Sequence, residues 1–278
     1  MAIHPSAVVE PGAVVDPTAE IGPWCYVGPK VRIGPGTRLL HSVTLLGRTT
    51  LGARNVVHPY AVIGGDPQDL KFRGEDSVTL IGDDNVLREG LTVHKGTLLG
   101  GGKTVIGNRN YLMAGVHVAH DSIIEDQCIL ANAAMLAGHV KVEFGAIISG
   151  MVAVHHFVTI GRFAFIGGVS RINRDCPPFM ITQGFAGEVR GVNSVGLRRR
   201  GFKPEVINAL REAHRMIWRS GLPKPDALAE LERRFPEMEE VRLLISFLKA
   251  SDRGRLGRAR EALRTTPAVA EPEAELLE

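Results

Sequence analysis

A chain of 278 residues is long enough for one large domain with a small companion, or for a single extended repeat array. Aromatic residues make up only 5% while glycine numbers 32, which suits a thin, regular β structure and excludes a thick core packed with rings. A formal charge of +3 is too small to indicate a nucleic-acid partner, and no run approaches the ~18 apolar residues of a membrane span.

The opening residues Met1-Ala2-Ile3-His4-Pro5 lack the basic and apolar regions of a signal peptide. Cys25, Cys128 and Cys176 are odd in number and widely separated, so neither a disulfide framework nor a cysteine metal site is expected. A soluble, cytoplasmic protein is the reading.

From Ile3 onward the chain repeats. Ile3, Val9, Val15, Ile21, Val27, Ile33, Leu39, Leu45, Leu51, Val57 and Ile63 are spaced by six. The register returns at Ile81, Leu87 and Val93, shifts by one residue, and then runs from Ile106 to Ile172. Glycine often follows the aliphatic residue, as at Ile21-Gly22 and Ile33-Gly34. An aliphatic side chain every sixth residue with a tight turn nearby describes a short flat strand and a corner; three such units close a triangular coil, and coils stack into a parallel β-helix.

Two stretches break the pattern. Asp69 and Glu75 fall on hexad positions and cannot face an apolar core without partners, so 64–76 is expected to leave the helix as a loop. A shorter loop is expected at 98–104. Loops projecting from one face of a rigid solenoid are where function concentrates.

Beyond Ile172, Arg174-Asp175-Cys176-Pro177-Pro178 ends the pattern, because the double proline cannot join a central strand. Pro204–Trp218 has the spacing of an amphipathic helix, and 225–235 and 236–249 read as two more. The end carries four glutamates without lysine, arginine or periodicity. The layout expected is a β-helix over 1–185 with loops at 64–80 and 98–105, a C-terminal helical domain over 186–266, and a disordered tail at 267–278.

The repeat also sorts the histidines. Hexads eighteen residues apart share a wall, as Val118, Leu136, Val154 and Ile172 do. His120, His139 and His156, with His155 beside it, then form one vertical band, and His117 is placed at the corner entering that wall. Such a band could bind a metal, or one imidazole could act as a general base while the others hold substrate. His120-Asp121 favours the base, since a carboxylate fixes the tautomer and stabilises imidazolium. One wall of a prism cannot enclose a substrate, so a groove between subunits is expected, with the 64–76 loop reaching across from a neighbour.

The chain resembles the UDP-N-acetylglucosamine acyltransferases that begin lipid A biosynthesis, from about Ile3 to Lys249. The resemblance is carried by Gln68-Asp69-Leu70-Lys71, Thr92-Val93-His94-Lys95-Gly96-Thr97, His117-Val118-Ala119-His120-Asp121, Cys128-Ile129-Leu130-Ala131-Asn132 and Leu136-Ala137-Gly138-His139-Val140. Pro177-Pro178, Gly191-Val192-Asn193 and Gly196-Leu197-Arg198-Arg199-Arg200-Gly201-Phe202 complete it. It implies a mainly β fold, a left-handed parallel β-helix of hexapeptide repeats followed by a small C-terminal α-helical domain, assembled as a homotrimer. It implies transfer of a 3-hydroxyacyl chain from acyl carrier protein to the glucosamine 3-position of a UDP-sugar. No cofactor or metal is implied, the acyl carrier protein thioester being a co-substrate.

In that scheme His120 is the base, Asp121 supports it, and the Gly138 N–H stabilises the oxyanion. Asp69, Lys71, His117 and His139 contact the sugar or acyl portion. His155, Asn193, Arg199 and Arg200 serve the nucleotide or the carrier's phosphopantetheine arm. Arg198-Arg199-Arg200 with Lys203 suits a diphosphate, and Arg211, Arg215 and Arg219 suit an acidic carrier. His156 stands where the family commonly has Gln, and Val195 where it commonly has Glu, so both bear on substrate binding; Ala186 replaces a frequent polar residue. Gly168 lies where relatives set acyl length by bulk.

The sequence leaves other readings open. Some relatives acylate a 3-amino sugar. The related N-acyltransferase of the same pathway should carry an extra domain before the hexads, which here start at Ile3. A β-helical carbonic anhydrase would use three histidines and zinc. A β-helical scaffold or ice-binding surface would show a flat threonine-rich wall and no histidine band.

Overall fold

A computed structural model describes residues 2–257; the 267–278 tail lies outside the described residues. Among those described, the hexads wind into a three-walled parallel β-helix. The first wall has eleven strands from Ala2–Ile3 to Glu188–Val192, the second nine from Val8–Val9 to Arg171–Ile172, and the third eight from Val14–Val15 to Thr159–Ile160. Most strands have only two residues, the first facing out and the second in. Val27, Leu45, Ile63, Val93, Val118 and Leu136 thus form one inward column on the second wall, each fully buried. Ile3 is 37% exposed because no coil covers it from below.

The glycine that follows the aliphatic residue serves stacking. A Cβ on Gly22 would lie 1.3 Å from the Leu40 carbonyl oxygen of the next coil. The left-handed corners fall elsewhere, on residues such as Trp24, Arg54, Gln127 and Phe163, with φ near 55°. Each such residue costs about 1 kcal/mol or more, held in place by the ladders above and below.

Both insertions leave the helix at the edge between the second and third walls. The first is shorter than the 64–80 expected, because strands Val62–Gly65 and Val78–Ile81 grip it closely and leave 66–77 outside. The second contains a 3₁₀ turn, Leu98–Gly100, and the third wall resumes at Lys103–Ile106, inside the 98–105 expected.

The top is closed by an antiparallel hairpin, Met180–Gln183 with Glu188–Val192, which straddles residue 185. Among the described residues four helices follow: α1 (Ser194–Arg199), absent from the sequence reading, α2 (Pro204–Trp218), α3 (Lys224–Arg234) and α4 (Glu239–Asp252). They share a second core with the hairpin, built on Phe179, Met180, Leu197, Leu210, Leu231 and Leu244.

Leu130 sits at 0% exposure midway along the solenoid. Leu130→Ala should lower the unfolding free energy by about 3 kcal/mol, read from the urea midpoint.

Candidate active site

The second wall supplies the site. His117 lies within strand His117–Val118, facing outward while Val118 faces in, so it is on the wall and not at its corner. Its Nδ1 is 2.7 Å from the Thr92 hydroxyl one coil below. The His94 ring stands nearly perpendicular to it at 4.9 Å. Burial, then the neighbouring His117 and His120, push His94 down to about 4; burial and His120 also lower His117. Both are therefore neutral near pH 7.

After Val118 the chain turns through Ala119-His120-Asp121 into the third wall. The register produces two adjacent columns here. His120, Gly138 and His156 occupy one; Asp121, His139 and Phe157 occupy the other, all three of these with φ of 60° to 66°. His139 stacks flat on Phe157 at 4.3 Å and meets the His120 ring edge-on at 5.2 Å. The band expected from the sequence thus forms, with an aromatic ring on its top coil beside His156.

Gly138 is required by contact: a Cβ there would lie 2.5 Å from His120 Cε1. The Gly138 N–H has no acceptor among the described residues. An oriented imidazole therefore lies against an unspent backbone donor.

His120 Nδ1 is 2.8 Å from Asp121 Oδ2, and the Asp121 side chain is completely buried. A carboxylate accepts, so Nδ1 carries the proton and Nε2 keeps its lone pair. The Asp121 carboxylate also accepts from the Thr97 N–H and hydroxyl, at 2.8 Å and 2.6 Å. The ligand atoms of His120, Asp121 and His139 lie within 4.8 Å, close enough to consider a metal. With three donors already on its two oxygens, Asp121 is better suited to orienting His120 than to binding a cation.

The first insertion forms the opposite lip. Gln68, Asp69, Leu70 and Lys71 face His120, Gly138, His139 and His156 across a cleft of about 430 Å³. The Asp69 carboxylate accepts the Lys71 N–H at 2.9 Å. Lys95 pairs with Asp66 at 2.8 Å and lies 4.9 Å above the Phe72 ring, while Arg48 pairs with Asp76 at 2.7 Å. The loop of the single chain therefore covers that chain's own histidines, with Lys95 and Arg48 tethering its two ends.

The remaining candidates are elsewhere. His155 adjoins His156 at 3.8 Å but does not line the cleft. The Asn193 side chain accepts the Gly196 N–H that starts α1 and donates to the Phe163 carbonyl, away from the cleft lining. Arg199 is exposed. Arg200 donates to Gln127, at the edge between the third and first walls. Gly168 is exposed at the edge between the first and second walls. One chain thus places His120, Arg200 and Gly168 on three different edges.

Sequence reasoning overlooked Phe157, which the eighteen-residue register from His139 could have located. It also gave no role to His94, Lys95, Thr97 or Thr104, which reach the site across interrupted coils where no period applies.

Two outcomes follow from these contacts. Unfolded chains protonate His94 as pH falls through 6.5, while the folded chain resists until about 4, so stability is lost on acidification across that window. His94 alone should cost about 2 kcal/mol between pH 7 and pH 5, a loss that His94→Gln should remove in urea titrations. Lys95→Met should raise tryptic cleavage at Arg73 roughly tenfold by releasing Asp66.

Comparison with known proteins identifies the family. Residues 175–256 match the family described as Udp N-acetylglucosamine O-acyltransferase, domain 2. Acyl-[acyl-carrier-protein]–UDP-N-acetylglucosamine O-acyltransferase of Synechocystis is 49% identical over 183 residues, 66% of each chain. The enzyme of that name from Stutzerimonas stutzeri is 42% identical over 204 residues, 73% of this chain and 79% of its own. The crystal structure of a UDP-N-acetylglucosamine acyltransferase from Bacteroides fragilis superposes with a TM-score of 0.87 at 39% identity, covering 90% of this chain and 98% of that one. The β-helix is left-handed, against the usual hand of parallel crossovers. By sequence and fold, the chain belongs to the acyl-[acyl-carrier-protein]–UDP-N-acetylglucosamine O-acyltransferase family of acyltransferases.

Proposed function

We propose that this protein transfers a 3-hydroxyacyl chain from acyl carrier protein to the glucosamine 3-hydroxyl of UDP-N-acetylglucosamine, the first step of lipid A biosynthesis. The observation that carries the mechanism is the His120–Asp121 pair beside the unspent Gly138 N–H, in a cleft roofed by the 66–77 loop. His120 Nε2 removes the proton of the attacking hydroxyl as its oxygen bonds to the thioester carbonyl carbon. The Gly138 N–H receives the oxyanion so formed. Collapse breaks the carbon–sulfur bond, and the departing thiolate of the carrier's arm takes the proton back from His120. Neither a covalent enzyme intermediate nor a metal enters the balance.

Asp69 and Lys71 on the lip, with His139 and His156 on the floor, would hold the sugar and the acyl head. His117 and His94, kept neutral by burial, can hydrogen-bond an uncharged group without adding charge. Acyl carrier protein is acidic, and Arg211, Arg215 and Arg219 lie exposed on one face of α2, without a carboxylate partner among the described residues. No described helix is long and apolar enough to cross a membrane. The three cysteines are buried and unpaired, which suits a cytoplasmic setting.

A homotrimer would unite the three edges. Val56, Val86, Tyr111, Ile129, Ile147 and Phe165 pair in register as one outward column on the first wall. All are half-buried in the single chain. An unbroken apolar column on an outer wall calls for cover, and cyclic assembly of three copies supplies it. It would also bring the Arg199–Arg200 and Gly168 edges of neighbouring copies towards a His120 cleft, for the diphosphate and the acyl tail respectively.

The test is incubation with UDP-N-acetylglucosamine and a panel of 3-hydroxyacyl carrier proteins, comparing wild type with His120→Ala. The variant should lose about 10²–10⁴-fold in kcat. A variant with full rate removes His120 as base; product only with the 3-amino sugar changes the acceptor.

A further inference from the structure

The shorter insertion sits directly against the buried carboxylate. We infer that Thr97 is a positioning residue of this reaction, holding Asp121 in one orientation and sharing its charge so that His120 is neither loose nor overstabilised as imidazolium. The inference rests on the reading of His120 as base.

The Thr97 hydroxyl is 2.6 Å from Asp121 Oδ2, the same oxygen that His120 Nδ1 approaches at 2.8 Å. The Thr97 N–H donates to Oδ1 at 2.8 Å, so both carboxylate oxygens are gripped by one residue. The direction of the hydroxyl is itself set. Gly100 donates its N–H to Thr97 Oγ1 at 3.1 Å, leaving the hydroxyl proton to point at Asp121. From the other side, the Asp121 N–H donates to the Thr104 hydroxyl at 2.8 Å.

The turn is also shaped to the carboxylate. A Cβ on Gly100 would fall 1.9 Å from Asp121 Cγ, so only glycine lets the 3₁₀ turn lie flat against it. Thr97 is 4% exposed. A surface loop that merely tolerated extra length would not bury a threonine under a carboxylate and seal it with a glycine.

The chemistry follows from the shared oxygen. Without the Thr97 hydroxyl, the charge on Oδ2 acts on His120 alone, which favours imidazolium and leaves less free base at low pH. The imidazole also loses its single orientation, so the chemical step slows while substrate contacts elsewhere persist. The other groups facing the dyad are His139, His117, His94 and His156, with Asp69 and Lys71 across the cleft. All of these remain in the Thr97 variants.

The experiment measures kcat and kcat/KM against pH for wild type, Thr97→Val, Thr97→Ser and His120→Ala. Thr97→Val should lower kcat by about ten- to a hundredfold, with KM for the UDP-sugar within about twofold. The acid limb of its kcat/KM profile should move to higher pH by roughly half a unit. Thr97→Ser should restore both. An inactive His120→Ala together with an unchanged Thr97→Val, a loss without movement of the limb, or failure of serine to restore overturns the inference and leaves the base in place. Full rate in His120→Ala removes the base, and the inference with it. Should Thr97→Val not fold, Gly100→Ala presses on the same carboxylate while keeping Thr97; it should lower kcat and move the limb, and an unchanged profile again overturns the inference.

Discussion

Everything in this molecule depends on the stacking of one coil on the next. The backbone ladder repeats a position every eighteen residues, and the inward aliphatic column locks that spacing, because a slip by one residue would turn every Val, Ile and Leu outward. Stacking gives each residue a vertical neighbour of fixed identity. His120 has Gly138 above it and Asp121 has His139, with no side-chain search needed to bring them together. The cost appears at the corners, where non-glycine residues hold left-handed conformations that only continuous ladders could maintain.

The site occurs where this regularity is deliberately interrupted. Along the second wall, Leu45 and Ile63 pair at the normal spacing of eighteen, but the next steps are thirty and twenty-five, Val62 to Thr92 and Thr92 to His117. Both insertions therefore open in the two coils immediately below His120, and on the same edge as His120. The longer one rises to form the far lip of the cleft. The shorter one folds under the turn and grips Asp121. A flat prism edge has been given a wall and a foundation, while the ladder stays continuous on either side.

This division explains what could be read from the sequence. The aliphatic period located the walls, the inward column and the band of His120, His139 and His156, since those depend only on counting. The helices at Pro204–Trp218 and beyond were legible because amphipathic spacing is equally arithmetic. Counting fails inside the insertions. Nothing in Thr97-Leu98-Leu99-Gly100 reveals that a hydroxyl lies under a carboxylate twenty-four positions later, because that contact depends on the path of an irregular loop. Arg48 and Lys95 were equally hidden as tethers of 66–77. The first wall's outward column follows the same register, one residue before each inward aliphatic.

The electrostatics of the edge follow from the same geometry. Six imidazoles, His94, His117, His120, His139, His155 and His156, crowd four consecutive coils, and crowding them protonated would be self-defeating. Burial keeps His94 and His117 neutral, so they add polarity without charge. Asp121 is the carboxylate buried among them, and its 2.8 Å contact with Nδ1 selects His120 as the imidazole it orients. That selectivity would weaken if Asp121 could swing towards His139, whose Nε2 is only 3.8 Å from Oδ2. The grip of Thr97 on both carboxylate oxygens would prevent the swing. On the proposed mechanism, a single hydroxyl in an irregular turn would therefore decide which of several neighbouring histidines becomes the base.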